Sequence, residues 1–189
     1  TWEAFTLTQD RGKQFTLDAM DNEESGGIAA IHAMKVFERT QVIPEVDAYR
    51  LSTLAAKATG TGIATPGTIA ANQVIAKFAD AEKYFEDNEV PIDRIVYFIS
   101  TEVARLIKTT TELKALVGTT TVENGDIKLK VNTFNDNMII VVPPKRFKTA
   151  YTFGSNGFTP TANAKDINIL AVYDAASIPV QKHKQVRVF

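Results

Sequence analysis

The residues of this chain that could do chemistry are few: two histidines, Ser100, a glycine-bearing loop, an acidic cluster and a small basic-aromatic patch. His32 falls in a helical stretch near the N-terminus, and His183 lies far along the chain between Lys182 and Lys184. A metal centre needs three or four ligands at short spacings, yet the sequence contains no H-x-x-x-H or H-x-H. His32 is therefore read as a helix-face residue and His183 as an exposed one. Gly60 and Gly62 begin a G-x-G, but the next glycine is Gly67, which breaks the dinucleotide spacing. The segment also follows a helical pattern rather than a strand. No G-x-x-x-x-G-K-[ST] phosphate loop is present. Asp18, Asp21, Glu23 and Glu24 could supply acid-base carboxylates or hold a hard cation. The simpler reading is a solvated helix start, where acids complement the dipole. Ser100 lacks a G-x-S-x-G context and is read as a helix cap. Lys145, Arg146 and Lys148 around Phe147 could touch phosphates, but three charges more often make a solvated face or a partner contact. No catalytic constellation emerges, so no enzyme activity, cofactor or metal is expected.

Composition sets the frame for these residues. The chain has 189 residues, 44% hydrophobic and 23% charged, as in ordinary globular proteins. That is enough for one substantial core, or for one domain with a smaller lobe. A net charge of −1 supplies no overall field for binding nucleic acid or anionic lipid. Without cysteine there are no disulfides and no thiolate sites. No apolar run approaches the roughly 20 residues that span a bilayer, so no membrane association is expected. The chain opens without Met, so the native start is expected to lie upstream or to have been removed.

Periodicity predicts the elements that would position these residues. Trp2, Ala4, Phe5 and Leu7, then Phe15 and Leu17, read as two strands joined at Asp10-Arg11-Gly12. Asp21 or Asn22 offers an N-cap for a helix carrying Ala30, Met34, Phe37 and Gln41 on one face, widened by Ile31. Gly26 and Gly27 mark a late start or a bend in that helix. Pro44 disfavours helical geometry at Ile43, which predicts a break and a second helix from about Pro44 to Ala58. Residues 59–67 read as a loop. Ala71, Val74, Phe78, Ala81 and Phe85 predict an amphipathic helix from about Thr68 to Asp87. Residues 94–99 predict a buried strand, followed by a short helix with Val103, Leu106 and Ile107 facing inward. Leu113, Leu116 and Val117 suggest a further helical turn closed by Gly118, and Asn124-Gly125 a tight turn. Strands are then expected at Ile127–Val131, Met138–Val142, Ile167–Tyr173 and around Ile178, Val180, Val186 and Val188, with a loop at 154–160. Helices and strands interspersed without βαβ repetition indicate an α+β fold.

Three blocks carry a family likeness: LTQDRGKQFTLDAMDNEE (7–24), RTQVIPEVDAYRLSTLA (39–55) and KDINILAVYDAASIPVQKHKQVRVF (165–189). Between them VPIDRIVYFIS and NMIIVVPPKRF occur in matching order. In these residues the chain resembles the major capsid proteins of tailed bacteriophages, which have the Hong Kong 97-type fold. The resemblance implies that residues 1–44 belong to a peripheral domain, with the base of the extended loop and a spine helix. It implies an axial domain with a mixed central sheet over 45–182, and a return to the peripheral domain at 183–189. The N-terminal arm, most of the extended loop and the strands beyond the Arg187-Val188-Phe189 block have no counterpart here, so a trimmed or partial subunit is expected.

The implied function is a head subunit that self-assembles through pentamers and hexamers into an icosahedral shell. That shell encloses genomic DNA without binding it tightly, and scaffolding and portal proteins are the expected partners. Assembly in the bacterial host cytoplasm and residence in the virion follow from the same likeness. The alternative is an encapsulin-like shell around a cargo enzyme. Shell subunits need several complementary edges rather than a pocket. Candidate contacts are Trp2, Phe5, Arg11, Phe15, Asp18, Asp21, Glu23 and Glu24, with loops 59–66 and 154–160. Gly26, Gly27 and Pro44 are candidate flex points, and alanine at the two glycines should stiffen the spine helix.

Overall fold

The computed structural model describes residues 7–14, 16, 23, 28–64, 67–110, 117–124, 127–155 and 157–180. Two compact units emerge, one of residues 1–39 and 178–189 and the other of residues 40–177. In the first, helix α1 (Ile28–Phe37) buries none of its residues. Residues 7–14 have no regular secondary structure, so the expected hairpin is absent from its described part. Thr16 is likewise irregular, and the hairpin's remaining positions lie outside the described residues. Ile178 and Val180 are exposed and not in a strand, contrary to expectation, and Val186 and Val188 lie outside the described residues.

Pro44 does not break the backbone helix. Residues Glu38–Val42 adopt a π-helical turn, and α2 (Ile43–Gly60) follows directly, with Val42 itself in helical dihedrals. The proline ring removes one donor and crowds the carbonyl four residues back. A locally wider turn relieves that crowding, which is why the helix persists where an interruption was expected. α2 also runs to Gly60, past the loop start expected at Thr59.

The larger unit is built on a five-stranded mixed sheet of order β2-β3-β4-β1-β7. Its strands are β1 (Ile95–Ser100), β2 (Val117–Asn124), β3 (Ile127–Phe134), β4 (Asn137–Val142) and β7 (Ile169–Tyr173). β1 is parallel to β4 and antiparallel to β7, while β2–β3 and β3–β4 are antiparallel. Helices and strands mix without a repeating crossover, so the fold is α+β.

Alternation along β1 sends side chains to opposite faces. Ile95, Tyr97 and Ile99 join a core with Val74 and Phe78 of helix α3 (Val74–Asp87), with Val103, Ala104 and Ile107 of helix α4 (Thr101–Thr109), and with Phe134 and Ile139. Phe98 packs on the opposite face with Ile140, Val142, Leu170 and Val172, against Leu51 and Ala55 of α2. Three layers result, with α3 and α4 on one side and α2 on the other. The Phe78 ring meets Tyr97 edge-on at 4.8 Å and stacks on Phe134 at 4.9 Å. Each such pair contributes about 0.5–1.5 kcal/mol beyond the burial itself.

The helix expected from Thr68 begins as a 3-10 turn at Ala71–Gln73, and its apolar stripe faces the core as its spacing predicts. Val117 and Gly118 open β2 rather than closing a helical turn, and Leu113 and Leu116 lie outside the described residues. Three consecutive threonines followed by Val122 favour extended backbone, and pairing with β3 completes the strand. The expected loop at 154–160 is instead a hairpin of β5 (Tyr151–Gly154) and β6 (Gly157–Pro160). Tyr151 contacts Phe158 at 5.5 Å, and Phe153 packs edge-on against Tyr49 of α2 at 5.7 Å. These aromatic contacts outweigh the turn-forming composition of the segment.

Candidate assembly surface

Most of the candidate contact residues, namely Trp2, Phe5, Phe15, Asp18, Asp21 and Glu24, lie outside the described residues, as do Gly26 and Gly27. Arg11 is exposed on the irregular segment 7–14, and Glu23 is exposed at a helical position. Pro44 occupies the first turn of α2, beside the π-helical segment. Thr59–Ala64 closes α2 and leads into an exposed turn, with Gly62 at φ 76°. The structure does not draw the described candidates into one cluster.

The residues considered for chemistry have structural partners. Ser100 is buried, and its hydroxyl accepts the Val103 backbone N–H at 3.2 Å, the capping role its position implies. Phe147 is buried, while Arg146 pairs with Asp47 at 2.9 Å and Lys148 with Asp166 at 2.6 Å. Two cations of the basic-aromatic patch are thus held by carboxylates of their own chain, not offered to phosphate. His32 is exposed on α1, whereas His183 lies outside the described residues.

Sequence reasoning missed a polar lock at the end of the sheet. Asn135 and Asp136 both adopt positive φ, 47° and 64°, in the tight turn between β3 and β4. Asn135 Nδ2 donates to both carboxylate oxygens of Glu82 at 3.1 and 3.0 Å. The Tyr97 hydroxyl also donates to Glu82, at a longer 3.4 Å. Burial, and then the charge of Glu82, push the Tyr97 phenol well above its ordinary pKa. Next to this turn, the buried Asn137 accepts the first N–H of β1, from Ile95, at 3.2 Å. The Asn-Asp dipeptide between two apolar runs was the available signal. This arrangement fixes α3 to the sheet, and its carboxylate is already engaged, so it is a strut and not a reactive centre.

Comparison with protein-family models, curated proteins and solved structures finds no match.

The surface itself therefore carries the functional argument. Among the described residues, no group of three or more His, Asp or Glu could hold a metal ion, and no helix is long and apolar enough to cross a membrane. A shallow apolar depression of about 140 Å³ is lined by Ile99, Ala104, Ile107, Val117, Ile139 and Val141. It has Lys108 at its side and no convergent polar groups. Two apolar exposures stand out. On α1, Ile28, Ile31 and Val36 are 68%, 54% and 44% exposed, although Ile31 was expected to face inward. At the end of α3, Tyr84 and Ile92 are 40% and 39% exposed beside Glu86, Asp87 and Glu89.

Proposed function

We propose that this chain is a subunit of a self-assembling protein shell, with the Hong Kong 97-type fold of tailed-phage major capsid proteins. Supporting this reading are the ordered sequence blocks that resemble that family and an α+β architecture compatible with it. The observation that carries it is α1, an apolar ten-residue helix with no buried residue. A helix of this length gains its stability mainly by packing an apolar face, not from backbone propensity. Leaving Ile28, Ile31 and Val36 in water is costly in one subunit and favourable where a neighbouring copy covers them. Many copies of a modest contact, repeated by closed symmetry, give a stable shell. In this role the chain forms pentamers and hexamers around the genome, with scaffolding and portal proteins as partners, and resides in the virion.

Electron microscopy of the full-length gene product expressed alone tests the reading. Closed shells or curved sheets are expected, and Ile28→Glu with Ile31→Glu should abolish them while circular dichroism stays as in wild type. A wild-type product that remains strictly monomeric at its highest soluble concentration would sink the proposal.

A further inference from the structure

β7 is one edge of the five-stranded sheet and pairs only with β1. Which of its backbone groups that pairing uses follows from one hydrogen bond. The Ser100 N–H donates to the Asn168 carbonyl at 2.9 Å, one step beyond the Ile99↔Ile169 pair. Ser100 and Asn168 are therefore a hydrogen-bonded pair, and such pairs alternate along an antiparallel ladder. Leu170 and Val172 accordingly turn their N–H and C=O groups toward Phe98 and Val96 of β1. Ile169, Ala171 and Tyr173 turn theirs outward, where no strand or turn meets them among the described residues.

Soluble proteins usually guard such an edge with lysine, proline, a bulge or a covering element. Ile169–Tyr173 carries neither charge nor proline, and its register with β1 runs without a bulge. Ile169, Ala171 and Tyr173 are half-buried rather than covered. An open edge of this kind is completed by an added strand, and the segment is its own best complement. In an antiparallel register centred on Ala171, Ile169 opposes Tyr173 of a second copy, a β-branched and aromatic pair. Leu170 opposes Val172 on the other face, and Asn168 opposes Asp174 at the ends, so no like charges meet. This register engages every outward N–H and C=O. A shift by two residues sets Tyr173 against Ile167, whose N–H is already given to Phe147, or Ile169 against Ala175 in the 3-10 turn.

We propose that β7 pairs with β7 of a second copy of this chain across a two-fold axis, joining the two sheets into one. An isologous contact of this kind closes on itself, and it is the commonest symmetry of soluble oligomers. Backbone hydrogen bonds hold the two strands together, and the Ile169–Tyr173 and Leu170–Val172 pairs fix their register. The inference goes beyond the shell reading: closed shells contain two-fold neighbours, but a two-fold pair needs no shell.

The chain has no cysteine, so a single introduced thiol reports the contact in the full-length protein. In the proposed register position 171 meets itself, with the two Cα atoms about 5.5 Å apart and within reach of a disulfide. Ala171→Cys should therefore cross-link to itself on mild oxidation about tenfold faster than Thr152→Cys, an exposed position on β5. Ala171→Pro removes an outward donor that β1 does not use, a change that an edge strand tolerates. It should lower the dimer fraction about tenfold in sedimentation, while the Leu170 and Val172 amides stay protected from exchange. Cross-linking of Ala171→Cys no faster than that of Thr152→Cys, as expected if β7 takes a strand of a different protein, overturns the two-fold contact. So does an Ala171→Pro protein that keeps those protections and dimerises like wild type; if this variant fails to fold, the cross-link alone decides. Dimers linked through position 171 that never build larger particles uphold this contact and overturn the shell reading. Particles built without that link uphold the shell reading and overturn this contact.

Discussion

Asp47, just past the first turn of α2, accepts a hydrogen bond from Arg146 at 2.9 Å, joining residues 99 apart in sequence. Arg146 belongs to the short turn after β4, so this pair fastens the start of α2, just past the π-helical segment, to the sheet. The two side chains are 26% and 40% exposed, which screens but does not remove their attraction. Arg146→Ala should cost about 1 kcal/mol, seen as a fall of about 2–4 °C in melting temperature. Asp47→Asn keeps an acceptor and should cost less. A double-mutant cycle with no coupling between the two positions would remove the pair from the account.

The turn at Asn135-Asp136 yields an ordered series. Both residues sit at positive φ, so glycine is tolerated at either position. Asp136→Gly leaves Asn135 and its Glu82 bonds in place and creates the preferred Asn-Gly turn; relief of left-handed strain outweighs the added freedom of glycine in the unfolded chain, for a net gain of about 0.5 kcal/mol. Asn135→Gly keeps the backbone geometry but loses both bonds to Glu82. Asn135→Ala loses them and adds left-handed strain of about 1–2 kcal/mol. Denaturant midpoints should therefore fall in the order Asp136→Gly, wild type, Asn135→Gly, Asn135→Ala. Finding Asn135→Ala as stable as wild type would contradict both the bonds and the strain.

The elements legible in the sequence are those whose pattern is local. The stripe Val74, Phe78, Ala81 and Phe85, the apolar run of β1 and the Ser100 cap all appear where spacing places them. Elements decided by tertiary contacts were not legible. β2 depends on its ladder with β3, and β6 on the aromatic contacts of Tyr151 and Phe158. Pro44 marked the start of α2 correctly, but not the π-helical turn that precedes it: proline rules concern the ideal α-helix, and a π turn offers another way to accommodate the ring. The exposed end of α3 was also hidden in the sequence, because periodicity identifies a face without showing where its cover stops.

Tyr97 should give the fold an alkaline limit. Its phenol is fully buried, and burial followed by the Glu82 charge raises its folded pKa above the unfolded value of about 10. A raised folded pKa means that the native state holds the proton more tightly than the unfolded chain. This contribution is therefore complete below about pH 10 and is lost as pH rises beyond it. Tyr97→Phe keeps the ring packing and gives up only the long bond to Glu82, so it should differ from wild type by less than about 1 kcal/mol at neutral pH. Denaturant melts above pH 10 should show wild type losing stability faster than Tyr97→Phe. Parallel alkaline profiles for the two proteins would refute this assignment.

Pro44 is the remaining lever on the helix. If its ring causes the π turn, Pro44→Ala supplies the missing N–H, removes the crowding and lets Glu38–Val42 relax toward ordinary i→i−4 bonding. Much of the usual penalty of about 3 kcal/mol for proline within a helix is already absorbed by the wider turn and by the position of Pro44 in the first turn of α2. The expected gain is thus only about 1 kcal/mol, or roughly a fivefold slowing of amide exchange around Val42–Ala48. A crystal structure of the variant should show α-helical bonding through residues 38–42. Unchanged exchange with the π turn retained would place its cause elsewhere, with Gln41 the nearest candidate, since its side-chain oxygen lies 3.9 Å from the position of a Cβ built on Gly157 in the β5–β6 hairpin.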